Sequence, residues 1–246
     1  MSDKIINSLK PLIIIGQSAL KLSSSRYIFE EIKKFLNKNN KINNEWNALN
    51  VLSNDASTVG SYDLTIFSTN NGRNILLEKL KDNSIELLFL FGQDKLKIDT
   101  KGKFVVYVGT HGDEGAKNSD LILPGCAFTE QNGYYTNLEG KIQKAYKANY
   151  PTEQAKEDWI IINEIANKVR GRYLFENKDQ LIDNMFNYLN QPRKEEFIQI
   201  DYSFENEKIL IDNLDYYFSN VIAKNYKTMS DCRSLRSHLD ITGTDG

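Results

Sequence analysis

With 246 residues, 31 basic and 33 acidic side chains and a net charge of −2, the chain can bury a sizeable core as one large domain or one domain with an appendage. No basic tract neutralises phosphates, which argues against a nucleic-acid partner, and the longest apolar runs, PLIIIG and IELLFLFG, fall far short of the roughly 20 residues a membrane-spanning helix needs. Two distant cysteines, Cys126 and Cys232, form neither a disulfide framework nor a metal-spaced pair and read as structural thiols of a reducing compartment.

The opening MSDKIINSLKPLIIIG carries Asp3 and no arginine, unlike a transit peptide, and its apolar run lacks a small-residue cleavage site, so no cleaved import signal is expected. Abundant Asn, Lys, Ile and Tyr suit an AT-rich coding sequence such as an organelle genome. The first strand is expected at 12–15, with Gly16 closing it. A helix over 23–37 follows, capped from Ser23–Ser25 and striped by Tyr27, Ile28, Ile32, Phe35 and Leu36. A second helical pattern spans 44–59. A strand, or equally a packed loop, is read at 64–67, and a third helix at 72–80. Apolar runs at 85–91, 104–108 and 120–123 complete the strands. Several are continuous rather than alternating, as parallel strands covered on both faces require, and right-handed crossovers would assemble them into a Rossmann-like α/β layer.

The clearest helix begins after YPTEQ. Ala155, Trp159, Ile162, Ala166 and Val169 line one face, and Gly171 stands where a left-handed C-cap belongs. That closes an α/β domain at 1–171. Residues 172–246 turn polar and aromatic, with shorter patterns at 178–189 and 207–218, and are expected as a C-terminal extension whose order depends on a partner.

Candidate chemistry is sparse. GTHGDEGAKNSD follows the strand ending at Val108, and α/β proteins bind ligands at that end of their strands. His111, Asp113 and Glu114 would be its metal or acid–base groups. Adjacent Asp and Glu point to opposite sides of an extended segment, and one histidine leaves no second nitrogen ligand, so a solvated glycine-rich turn is the simpler reading. Gly16 alone does not make the three-glycine dinucleotide fingerprint. NNGRN at 70–74 reads as a turn with a capping asparagine. There is no GxSxG, and His111 and His238 lie in unlike contexts. Cys126, after LPG at a strand end, looks exposed but has no His or Lys nearby in sequence to lower its pKa. No catalytic, cofactor-binding or metal residue is assigned on these grounds.

The most specific stretch is SDLILPGCAFTEQNGYYTNLEGKIQ, residues 119–143, which shows no helical or strand period beyond its first residues. Pro124 ends the strand and Gly125 permits a sharp turn. Thr129, Glu130, Asn132, Asn137, Glu139 and Gln143 then surround Gly133 and Gly140 with hydrogen-bonding groups. A pterin or nucleotide cradle would want them, and so would a buried irregular loop that must satisfy its own backbone.

GDEGAKNSDLILPGCAFTEQNGYYTNLEGKIQ resembles the C-terminal part of the molybdopterin-oxidoreductase-like region in the largest iron–sulfur subunit of respiratory complex I, NADH:ubiquinone oxidoreductase. KPLIIIGQSAL, EWNALNVLSNDASTVGSYDL, LLFLFGQD, AKEDWIIINEIA and YKTMSDCRS extend the likeness in colinear order over nearly the whole chain. Lys141 departs from the usual arginine and loses bidentate geometry. Nothing corresponds to the family's N-terminal half, whose cysteines ligate the iron–sulfur clusters.

The resemblance implies a parallel sheet of the molybdopterin-oxidoreductase type and a chain without chemistry of its own. It implies no cofactor here, with the iron–sulfur clusters in a separate N-terminal partner chain from a split gene. Other complex I subunits would be its partners, with no direct membrane span. The place implied is the matrix side of the mitochondrial inner membrane, or the cytoplasmic side of a bacterial plasma membrane. In catalytic molybdenum relatives the equivalent loop helps enclose a guanine-dinucleotide pterin. Here the loop is expected to be its remnant, the alternative being an oxidoreductase fragment that still binds the cofactor.

Overall fold

The computed structural model describes residues 2–66, 78–82, 84–94, 99–191, 202–206 and 215–239. The expected helix at 72–80 lies mostly outside these residues, as do the NNGRN turn, most of the 207–218 pattern and the side chain of His238. The chain divides into two compact units. One comprises Met1–Ile66, Tyr135–Gln143 and Pro192–Ile211, the other Phe67–Tyr134, Lys144–Gln191 and Asp212–Gly246. Residues 172–246 contribute to both.

The first unit contains α1 (Ser2–Asn7), β1 (Ile13–Gly16), α2 (Ser25–Lys38), β2 (Leu49–Leu52) and α3 (Thr58–Asp63). β1 and β2 pair in parallel, Ile13 opposite Leu49. α2 crosses between them and buries Leu36 completely, as Ala48 is before β2. Its N-cap, Ser24, does not cap it. The hydroxyl instead donates to the carbonyl of Glu205 and accepts that residue's amide, each at 2.8 Å. Tyr27 of α2 meets Tyr202 and Phe204 edge to face, with centroids 6.3 and 5.8 Å away.

The helix expected over 44–59 is mostly absent. Asn43 Oδ1 accepts the amides of Glu45 and Trp46, and Asn47 Oδ1 accepts that of Leu49. These short side chains offer the backbone a turn in place of a helix, and β2 follows. Only α3 is helical there. Of the strand or packed loop read at 64–67, the loop holds over the described residues 64–66: the amides of Leu64 and Ile66 bond back to Gly60 and Ser61, and Thr65 has φ +53°. Phe67 lies outside the described residues.

The second unit is built on β3 (Leu87–Phe91), β4 (Phe104–Gly109) and β5 (Leu121–Pro124), three parallel strands in that order. The continuous apolar runs are strands as expected. In the middle, β4 buries Val105, Val106, Tyr107 and Val108. Leu90, Val105 and Tyr107 face one side with Ala116 of α4 (Glu114–Lys117). Val106, Val108 and Leu123 face the other, under Ile161 and Ile165 of α5 (Asp158–Arg170).

Gly171 ends α5 at φ +69°, as expected. The buried face differs from the expected stripe, for Ile162 and Val169 are exposed. α5 is apolar over more than one stripe, and Asn163 settles the orientation by binding the backbone of Leu174 and Phe175 at 2.7–3.1 Å. Three more helices follow: α6 (Lys178–Leu189), α7 (Val221–Asn225) and α8 (Lys227–Leu239). Phe186 of α6 packs edge to face on Tyr134 at 5.3 Å. The stretch read as aperiodic also contains two paired strands, β6 (Gly133–Thr136) and β7 (Ile142–Ala145).

Candidate functional site

Two places at strand carboxyl ends have the position of an α/β ligand site. In the second unit, β3 leads to Asp94 and β4 to Asp113. Asp94 Oδ1 accepts the amides of Asp113 and Gly115 at 2.9 and 3.1 Å. Its Oδ2 accepts the Tyr107 hydroxyl at 3.2 Å and Lys224 Nζ of α7 at 2.6 Å. Glycine is needed at 115: a Cβ there would lie 2.2 Å from the carbonyl oxygen of Gln93 and 3.1 Å from Asp94 Oδ1.

Asp113 is held by Arg233 of α8 at 2.6 Å and Lys117 at 3.2 Å. Arg233 also reaches Asp215 at 2.6 Å, and its guanidinium lies 4.1 Å from the centre of the Phe218 ring. Burial alone would raise the Asp94 carboxyl, but the bonds from Lys224 and the Asp113 amide outweigh it and the group titrates below its ordinary value. Asp113 is lowered chiefly by Arg233, against its own burial. Burial and the neighbouring Asp94 charge push the Tyr107 phenol up to about 12. This end is therefore anionic by its own residues, and both buried carboxylates are matched by cations from later in the same chain.

The sequence candidates do not converge here. Asp113 is buried in the network, Glu114 is exposed and paired with Lys117, and His111 is exposed. Asp94, Tyr107, Lys224 and Arg233 were missed. The FGQD stretch places an aspartate just past a strand, but no spacing rule joins it to a cation 130 positions away.

Four of the six polar candidates of the loop at 119–143 bond within it or to the segment just after it. Glu130 accepts the Ala127 amide at 2.9 Å, and Asn132 accepts that of Lys147 at 2.9 Å. Asn137 Oδ1 accepts the amides of Glu139 and Lys141 at 3.0 and 2.9 Å, and its Nδ2 donates to Glu139 at 3.3 Å. Cys126 is buried, contrary to its exposed look in the sequence. Burial first, then the charges of Glu130, Glu157 and Asp158, raise its thiol above the ordinary value. Its amide and that of Lys156 tie the end of β5 to the following chain.

The first unit has a cleft of about 320 Å³ beyond the end of β2, formed by residues 53–59, 135–138 and Gln143. Ser57 Oγ accepts the Thr136 amide across it at 3.1 Å. Among the described residues, its one charged lining group is Asp55. A pyrophosphate-bearing cofactor wants cations or free donors; this lining supplies no cation, but Ser53 Oγ is buried in it without a hydrogen-bond partner. Among the described residues, no group of three or more His, Cys, Asp and Glu side chains is arranged to hold a metal, and no helix is long and apolar enough to cross a membrane.

The molybdopterin oxidoreductase family model matches residues 1–168. An NADH-quinone oxidoreductase subunit of Rickettsia bellii is 36% identical over 95% of this chain. The NADH-ubiquinone oxidoreductase 75 kDa subunit of Reclinomonas americana is 32% identical over 94%, and the mitochondrial 78 kDa subunit of Candida albicans 31% over 95%. The chain spans only 34–35% of the length of these relatives. With parallel α/β strands in place and the likeness running from PLIIIGQSAL through the 119–143 loop, the chain belongs to the molybdopterin oxidoreductase family.

Proposed function

We propose that the chain is a non-catalytic structural subunit of the peripheral arm of respiratory complex I, supporting NADH-to-quinone electron transfer carried by other chains. It takes the part of the portion that it matches in the bacterial NADH-quinone oxidoreductase relative, or in the 75–78 kDa counterparts. The iron–sulfur clusters lie in the part of the relatives' length that this sequence does not span. Its place is the matrix side of the mitochondrial inner membrane or, in a bacterium, the cytoplasmic side of the plasma membrane.

The absence of chemistry of its own rests on one observation above all. The carboxyl end of β3 and β4, where a parallel sheet takes up ligand, is closed by Lys224 and Arg233 of the same chain. The uncharged character of the cleft apart from Asp55 supports the same reading. No cofactor belongs to this chain in this account.

The test is native electrophoresis of detergent-solubilised membranes with an in-gel NADH-oxidation stain and mass spectrometry of the stained band. The expected result is the recovery of this chain's peptides from a very large NADH-oxidising band. Migration as a small free species would overturn the assembly reading, and molybdenum or pterin recovered with the purified chain would overturn the non-catalytic one.

A further inference from the structure

α5 carries two apolar stripes, and the fold uses one. Ile161 and Ile165 lie on the sheet, and Asn163, farther round the helix, holds the backbone of Leu174 and Phe175. Trp159, Ile162, Ala166 and Val169, spaced i, i+3, i+7 and i+10, share the flank between them. Ile162 is 43% and Val169 77% exposed there, and Tyr173, just past the helix, is 56% exposed. Exposed apolar residues scattered singly need no explanation, but a stripe that repeats at helical spacing does.

The C-terminal end of the stripe is basic. Lys168 and Arg170 stand on either side of Val169, and Arg172 follows the Gly171 cap. Among the described residues none of the three pairs with a carboxylate, whereas Arg233 engages both Asp113 and Asp215. The negative pole of a helix amounts to about half a unit charge, so three cations exceed what the helix itself calls for. The surplus is local, because the chain as a whole carries a net charge of −2. Arginine and tyrosine beside exposed aliphatic groups match the composition of a protein–protein interface.

We propose that this flank of α5 seats an acidic amphipathic helix of a neighbouring subunit. The apolar residues of that helix, at i, i+3/i+4 and i+7, lie along Ile162, Ala166 and Val169. Its carboxylates accept from Arg170 and Arg172, whose planar forks suit them. An anionic membrane is the poorer match, since such docking draws on about four to eight clustered cations. The proposal deepens the assembly reading above and rests on it.

The experiment places a photo-crosslinking phenylalanine analogue at position 169 of the full chain in cells, with Tyr146, also exposed, as the control position. Membranes are irradiated, and the NADH-oxidising band is analysed by mass spectrometry. The expected result is a crosslink from position 169, and none from 146, to one segment of another polypeptide that carries Asp or Glu within two helical turns of the crosslinked residue. Arg170→Glu combined with Arg172→Glu should lower the yield of that crosslink roughly tenfold or more, while the purified variant keeps the parent's circular dichroism and melting midpoint. Arg172→Gln, which lies beyond the helix end, should lower it severalfold and serves if the double reversal unfolds the chain. A crosslink from 169 to lipid, to a second copy, to this chain itself, to a segment without acidic residues or to nothing, with the chain still in the large band, overturns the interface and leaves the assembly reading standing. A crosslink from 146 to the same segment, or a yield unmoved by the charge changes, overturns it too. A chain absent from the band without any substitution overturns both.

Discussion

The two strand ends differ in one respect that decides their fate. In the second unit the end of β3 and β4 gathers Asp94, Asp113 and Tyr107, and the chain closes it with Lys224 and Arg233. In the first unit the end of β2 opens on Ser, Asn and Thr side chains, with Asp55 the one charge among its described residues, around a cleft of about 320 Å³. Buried carboxylates cannot be left unmatched, whereas a neutral hydroxyl or amide costs far less to leave without a partner, as Ser53 Oγ is here. Position in the fold offers a site; charge determines whether the chain occupies it.

The largest test of this contrast is Lys224→Met, which strands the buried Asp94 carboxylate. It should cost about 3–5 kcal/mol, read as a lowered urea midpoint, and Asp94→Asn in the same chain should restore part of the loss. Gly115→Ala comes next, because its Cβ would stand 2.2 Å from a backbone oxygen. A loss of about 1–3 kcal/mol is expected in the same assay.

Acid should separate the two ends. Asp94 and Asp113 have folded-state pKa values below their ordinary 3.8. Their stabilisation is therefore complete above that value and is lost as the pH falls below it. Pepsin cleavage within 215–239 should accelerate steeply over that interval, and should lose this dependence in the Asp94→Asn, Asp113→Asn double variant. A thiol reagent at neutral pH should modify Cys232, which is partly exposed, well before the buried Cys126. The smallest effect belongs to the cleft. Ser57→Ala removes one hydrogen bond to Thr136 and should cost about 1 kcal/mol, with calorimetry showing no heat of NAD binding in parent or variant.

What the sequence made legible was what short range governs. The runs at 85–91, 104–108 and 120–123 are strands because a parallel strand buried on both faces must be continuously apolar. Gly171 caps α5 because a left-handed residue costs glycine little. The helix expected over 44–59 failed where Asn43 and Asn47 offered the backbone a competing partner, a preference that an apolar period does not register. The face of α5 was misread because the choice between two apolar stripes rests with Asn163 and a chain segment eleven residues on.

The loop at 119–143 left two readings open, cradle or self-satisfied turn. Four of its six polar candidates engage the loop's own structure or the segment just after it, through bonds whose geometry no residue count specifies. The charged network was the least legible of all. Its pairs are separated by 120 and 130 positions, and only the fold brings them to one end of the sheet.

That separation has a consequence for synthesis. A ribosome adds about 5–20 residues per second, so Asp94 and Asp113 emerge on the order of ten seconds before Arg233 and Lys224 follow them. Through that interval β3 and β4 carry two carboxylates with no tail cation to match them. The second unit thus completes its fold only when its last helices arrive, and a product terminated shortly before α7 retains the sheet but not the counter-charges that let its aspartates stay buried.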